Sequence, residues 1–190
     1  MKLCEIAKQQ NPHADIKKWL KQQEIKKYTI RPNGVVDVDG HVDLIGVEGE
    51  YTIPVQFGKV TGHFCCSGTN ILSLKGSPQI VHEQFVCSHT NITSLAGAPQ
   101  SIGGNCICLF TQMTSLSGVD KIIKQIDGKF TCDMRVTHLL GLLLIKGITG
   151  FVIDQGGPID EIMNWYAGTG DILSAQDKLI DAGFIDQARL

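Results

Sequence analysis

Several features that would announce a chemistry are missing from this 190-residue chain. It has no glycine-rich phosphate loop, because Gly103-Gly104 is a lone pair rather than a cradle. No Ser/His/Asp constellation is legible. The longest apolar run, Leu139 through Ile145, falls well short of the about 20 residues that a membrane-spanning helix needs. The segment MKLCEIAKQQ lacks the apolar region of a secretory signal, and Cys4 lies too early for a lipoprotein cleavage site, so a soluble protein is expected. Lys17, Lys18, Lys21, Lys26 and Lys27 crowd one segment, yet the net charge is only −2. A nucleic-acid binder would want a broader basic stripe, and these lysines read as a solvated helix face. Neither a nucleic-acid nor a membrane partner is expected.

What the chain does have is a repeat. Cys66, Cys87 and Cys108 stand 21 residues apart, and Cys132 follows 24 residues later. Each ends the same short pattern: Phe64-Cys65-Cys66, Phe85-Val86-Cys87, Cys106-Ile107-Cys108 and Phe130-Thr131-Cys132. The flanks recur as TNILSLKGSP, TNITSLAGAP and TQMTSLSGVD. A fixed period near 20 residues is the mark of a stacked solenoid, an architecture that mostly makes surfaces for binding other macromolecules. Aligned coils give apolar columns at Phe64/Phe85/Cys106/Phe130, at the four cysteines, at Ile71/Ile92/Met113, at Leu74/Leu95/Leu116 and, on the return side, at Val60/Val81/Ile102/Ile126. Side chains two apart on a strand share a face, so Phe and Cys are predicted to point inward. Glycines 76, 97 and 118, with Pro78 and Pro99, mark a turn in each coil.

Seven cysteines are an odd number, which leaves one over in any disulfide framework. Four of them recur at one repeat position, so they read as small buried hydrophobes in a reducing, intracellular setting.

The expected organisation is an N-terminal helical cap over 1–27, a solenoid over 28–148 and a C-terminal helical cap over 149–190. Ile16, Trp19, Leu20 and Gln23 fall at helical spacing. Val36 and Val38 alternate before an Asp39-Gly40 turn, and Val42 and Leu44 alternate after it. This segment reads as a divergent first coil, with Ile53, Phe57 and Val60 on its return side. Leu139 through Ile148 should be a buried transition, and Phe151-Val152-Ile153 a last strand. Helices are predicted from Pro158 through Trp165 and from Asp171 through Ala182, the second with Ile172, Leu173, Leu179 and Ile180 on its apolar side and Gly183 at its end. The fold class is therefore α/β, a short solenoid with a parallel sheet of short strands and helices at both ends.

The spacing F-x-C-x-x-T-x-I-x-x-L matches the leucine-rich-repeat frame, with Thr69, Thr90 and Thr111 at its asparagine position. The chain resembles the leucine-rich-repeat-like proteins of tailed bacteriophages. The likeness is carried by YTIRPNGVVDVDGHVDL, IPVQFGKVTG, the SLKGSP and SLAGAP coils, and GDILSAQDKLIDAG, over about residues 28–190. It implies a solenoid, a phage origin, a place in the cytoplasm of the infected bacterial host and, through that origin, a host protein as partner.

The outward strand positions are the candidate binding site. Cys65, Val86, Ile107 and Thr131 form one column, and Ser67, Ser88, Leu109 and Asp133 the next. Gly68, His89, Phe110 and Met134 form a third at the strand ends. Val86, Ile107, Leu109, Phe110 and Met134 together would make a contiguous apolar patch, with Cys65 and His89 beside it. Such patches mark interaction sites, although a cap helix of the same chain could cover this one. Protein binding without catalysis is the expected function, with a structural role in the virion by self-association as the alternative. Zinc held by Cys65-Cys66, Cys106-x-Cys108, His63 and His89 is not expected, because Cys-x-Cys falls on alternate strand positions rather than at structural-zinc spacing. A Cys65 nucleophile paired with His63 is the one catalytic reading, and it lacks a catalytic domain around it. No cofactor is expected. The Asn91-Ile92-Thr93 sequon reads as coincidence.

Overall fold

The stacking of near-identical segments decides the architecture. In the computed structural model, which describes residues 13–44 and 52–190, the chain is a parallel-strand β-solenoid of about five turns with helices at its ends. The expected region around Cys4 lies outside the described residues. Helix α1 (Ala14–Gln22) comes first, followed by β1 (Tyr28–Ile30), β2 (Val36–Val38), β3 (Val42–Asp43), β4 (Phe57–Val60) and β5 (Phe64–Cys65). The regular coils contribute β6 (Ile80–Val81), β7 (Phe85–Val86), β8 (Ser101–Ile102) and β9 (Cys106–Cys108). Then come α2 (Val119–Ile122), β10 (Gln125–Ile126), β11 (Lys129–Asp133), a 3-10 helix (Leu139–Leu144), β12 (Gly150–Asp154), α3 (Pro158–Tyr166) and α4 (Ile172–Asp181).

Each coil carries strands on two sides, so there are two six-stranded sheets rather than the one that the strand pattern suggested. The first runs β1-β2-β4-β6-β8-β10 and the second β12-β11-β9-β7-β5-β3. All pairs are parallel except β1 with β2. Asp39-Gly40 is accordingly not a hairpin turn: it is the corner at which the chain passes from the first sheet to the second. The hairpin is one step earlier, between β1 and β2 around Asn33-Gly34. Register is set residue on residue, with Phe64 on Phe85, Phe85 on Cys106 and Phe130 on Cys106.

That register makes the predicted columns the core. Phe64, Cys66, Phe85, Cys87, Cys106, Cys108, Phe130 and Cys132 are all buried, as are Val60, Val81, Ile102 and Ile126 on the other sheet. Phe64 and Phe85 stack with centroids 5.9 Å apart, and Phe57 meets Phe64 edge-on at 5.5 Å. Thr69 and Thr90 are buried too, and their hydroxyls donate to the carbonyls of Cys66 and Cys87 at 2.6 and 2.8 Å. The threonines thus tie each coil to itself, where an asparagine ladder would tie coil to coil. Neighbouring coils on this side are joined by backbone instead, through Asn91 N–H to Ile71 O and Gln112 N–H to Ile92 O.

Helices pack at both ends. Trp19 and Leu20 of α1 are buried, and the Trp19 ring sits 6.1 Å from that of Phe57. At the other end α3 stands in for one more strand. Asn164 accepts from Phe151 N–H at 2.8 Å and donates to Phe151 O at 2.9 Å, while Asp160 accepts from Ile153 N–H at 2.6 Å. An exposed strand edge invites pairing with other chains, and these two side chains occupy it. Helix α4 starts as expected, with Asp171 accepting from Ser174 N–H, but its apolar side differs from expectation. Ala175 and Leu179 are buried, Ile172 is partly so, and Leu173 and Ile180 point to solvent.

One glycine is required by contact as well as by conformation. Gly97 has φ +90°, and a Cβ there would lie 2.8 Å from the carbonyl carbon of Leu74 in the coil beneath. Phe85→Ala should lower unfolding free energy by about 3–5 kcal/mol through the cavity it leaves in the ring stack. Gly97→Ala should also destabilise, by at least about 1 kcal/mol from its left-handed backbone. Urea unfolding followed by circular dichroism checks both.

Candidate functional site

The outward side of the second sheet is built by the same alternation that buries phenylalanine and cysteine. Register places Asp43, Cys65, Val86, Ile107, Thr131 and Val152 in one row, strand beside strand. Cys65, Val86, Ile107 and Thr131 are half-buried and Val152 is exposed. The predicted outward column is therefore on the surface, and Val152 of the last strand extends it.

The neighbouring column differs from expectation. Ser88 and Asp133 are buried, because this column works as a ladder between coils. Ser67 Oγ accepts from Ser88 N–H at 3.0 Å, Ser88 Oγ accepts from Leu109 N–H at 3.1 Å, and Asp133 accepts from Phe110 N–H at 3.0 Å. A short hydroxyl or carboxylate here satisfies a backbone donor just beyond the strand, beside the backbone bonds from Gly68 N–H to Ser88 O and from His89 N–H to Leu109 O. Leu109, which can accept nothing, stays half-buried.

The third column has a backbone constraint that sequence reasoning missed. Gly68, His89 and Phe110 have positive φ, at 71°, 53° and 53°; Met134 does not, and Gln155, one step past β12, has φ 58°. This left-handed region suits glycine and penalises side chains with a Cβ by roughly 1–2 kcal/mol. The signal available in the sequence was Gly68, but His89 and Phe110 mask it in the coils that follow. Their rings stack with centroids 4.7 Å apart and planes 28° from parallel. Phe110 is 50% exposed and Met134 41%, so they stand at the open margin of the sheet, and Val152, in the outward row next to Thr131, is 41% exposed. The helical caps leave these three uncovered: α3 packs on β12 and α4, and α4 packs on the 3-10 helix. The C-terminal segment reaches the rim, where Gln187 donates to Met134 O at 3.3 Å.

The cysteines divide cleanly. Cys65 and Cys66 lie on opposite faces, so they cannot share a ligand, and Cys106 and Cys108 both point inward. His63 is committed to Asp43, with Nε2 2.9 Å from Asp43 Oδ1, rather than held against Cys65. Burial pushes the thiols of Cys66 and Cys132 well up. The Cys87 and Cys106 thiols are also raised, first by their hydrogen bonds to Cys108 and then by burial. Cys108 goes the other way, lowered by the hydrogen bonds from Cys106 and Cys87, but it is fully buried, so lack of access keeps the interior column unreactive. A maleimide probe read by peptide mass mapping should label Cys65 fastest among Cys65, Cys66, Cys87, Cys106, Cys108 and Cys132, with the other five reacting at least about tenfold more slowly until the fold is opened by denaturant.

Among the described residues, one group of histidines and carboxylates converges: His41, His63 and Glu83, at the opposite end of the second sheet from Val152. No helix among the described residues is long and apolar enough to cross a membrane. No protein family, curated protein or solved structure matches this chain.

Proposed function

We propose that the chain is a non-catalytic protein-binding module whose binding surface is the outward side of the second sheet, centred on Phe110. The observation that carries this reading is the cost of Phe110 where it stands. The three regular coils take a left-handed residue at that position, and Gly68 fills it without strain. Phe110 instead adopts φ 53° with half its surface in water. It contributes little to the interior and strains the backbone, which points to a role outside the fold.

Its surroundings fit recognition. His89 buttresses the ring, Asp133 holds the backbone N–H, and Met134, Leu109, Ile107 and Val152 add apolar surface on this side, with Thr131 standing between Ile107 and Val152. Aromatic and methionine side chains are favoured at interface centres. A rigid ladder also holds them without a large ordering cost on binding. The partner best suited is a protein that offers aliphatic or aromatic side chains to this surface. The resemblance to tailed-phage proteins, which rests on sequence motifs alone, makes a bacterial host protein the first partner to seek. Non-catalytic action agrees with the pairing of His63 to Asp43 and the burial of the column thiols.

The test uses the strain itself. Phe110→Gly should leave the melting temperature unchanged or raised, because it relieves the left-handed position. The same change should weaken partner capture from infected or host-cell extract at least about tenfold, as expected of a central aromatic anchor. Met134→Asp should do the same through the neighbouring coil. A captured protein that Phe110→Gly and Met134→Asp both retain would refute this surface. Light scattering that gives a stable homo-oligomer, dissolved by Phe110→Gly, would replace the foreign partner with a second copy and favour a role in assembly.

A further inference from the structure

We propose that His41, His63 and Glu83 form a binding site for a divalent transition-metal ion of the zinc, nickel or copper type. The three come from successive coils, before β3, before β5 and before β7. One ligand atom from each lies within 4.8 Å of those of the other two. Two ligands on a tetrahedral zinc ion, each about 2.0–2.1 Å from it, stand about 3.4 Å apart. His41 Nδ1 and Glu83 Oε2 are already 3.6 Å apart.

The hydrogen bonds around the rings fix the form that a metal requires. A carboxylate can only accept, so neutral His63 carries its proton on Nε2 and donates it to Asp43 at 2.9 Å. That leaves Nδ1 as its lone pair. A carboxylate on the outer nitrogen is the usual support for a metal-binding histidine, orienting the ring and raising its basicity. His41 Nδ1 accepts from the backbone N–H of His63 at 3.1 Å, so it too is unprotonated. Both rings therefore present Nδ1 as a donor, and Glu83 supplies a charged oxygen. Nitrogen with carboxylate suits zinc, nickel and copper rather than calcium or magnesium, which prefer oxygen alone.

The rings stack, with centroids 4.3 Å apart and planes 20° from parallel. Their lone pairs thus lie in nearly parallel planes, and one ring must turn for both to reach a single ion. The His41 side chain, 55% exposed, has the room to do so, and an ion taking its lone pair displaces the His63 N–H bond. Water completes the coordination. Bound there, the ion would clamp three consecutive coils at the end of the solenoid remote from the apolar surface around Phe110.

Calorimetric titration of the chelator-stripped full chain with zinc chloride, in a phosphine reductant, tests the site. About one equivalent should bind, and the melting temperature should rise with free zinc, because an ion that binds only the folded state stabilises it by mass action. His41→Ala and His63→Ala should each weaken binding at least about tenfold, and Asp43→Asn should weaken it about tenfold through the outer nitrogen. Glu83→Gln carries the test should either alanine variant fail to fold, since the Glu83 side chain is exposed. Cys65→Ser should leave the affinity unchanged. The proposal is overturned by absence of binding at millimolar zinc, by unchanged affinity in Glu83→Gln, or by loss of binding in Cys65→Ser, which would move the ion to a thiol.

Discussion

Everything in this protein rests on the backbone hydrogen bonds that hold one coil on the next in register. Because the strands are parallel and aligned, each residue sits on its counterpart a coil away, and the choice made at one position constrains the same position throughout. Phenylalanine stacks on phenylalanine, cysteine on cysteine, and the glycine of one turn lies against the backbone of the turn beneath. The 24-residue step between Cys108 and Cys132 shows how strict this is. Its extra residues fall between Leu116 and Ile126, where they are taken up by the short helix α2, and β10 and β11 return to register on the far side.

The same constraint explains why cysteine occupies so much of the interior. A coil only two short strands wide has little space between its walls, and a thiol fills a gap that leucine would overpack. Buried among other thiols and out of reach of solvent, these groups act as packing atoms. Surface chemistry is left to the positions that face outward. There the ladder permits variety, because the interior does not register what is placed at Cys65, Val86 or Ile107.

The legible part of the fold was the part under strict repetition. The Phe, Cys, Ile and Leu columns, the buried segment after Leu139 and the strand at Phe151 could all be read from spacing. The sheet on the return side, β1-β2-β4-β6-β8-β10, could not, because Ile80–Val81 and Ser101–Ile102 are two-residue strands too short to show alternation. Asp39-Gly40 looks like a hairpin turn from composition, and only the pairing of β2 with β4 reveals a corner. On α4, Leu173 and Ile180 satisfy helical spacing, yet the narrow contact with α3 and the 3-10 helix needs only Ala175 and Leu179. For the site, the outward row was readable from period-two alternation. The left-handed column was hidden because histidine and phenylalanine stand where glycine would have signalled it. The grouping of His41, His63 and Glu83 was hidden for another reason: Glu83 is one position out of step with the two histidines, and nothing in a linear pattern brings it back to them.

The helix that closes the stack acts as a terminator. Asp160 and Asn164 imitate the hydrogen bonds of a strand but offer none onward, so growth of the sheet ends there whatever the number of coils before it. Length is thereby separated from closure. A further 21-residue unit set between β7 and β9 would meet the same kind of neighbour above and below, while the final strand and its stopper stayed as they are. The protein is, in this sense, a short oligomer of its own repeat written into one chain, and its size is a matter of copy number rather than of redesign.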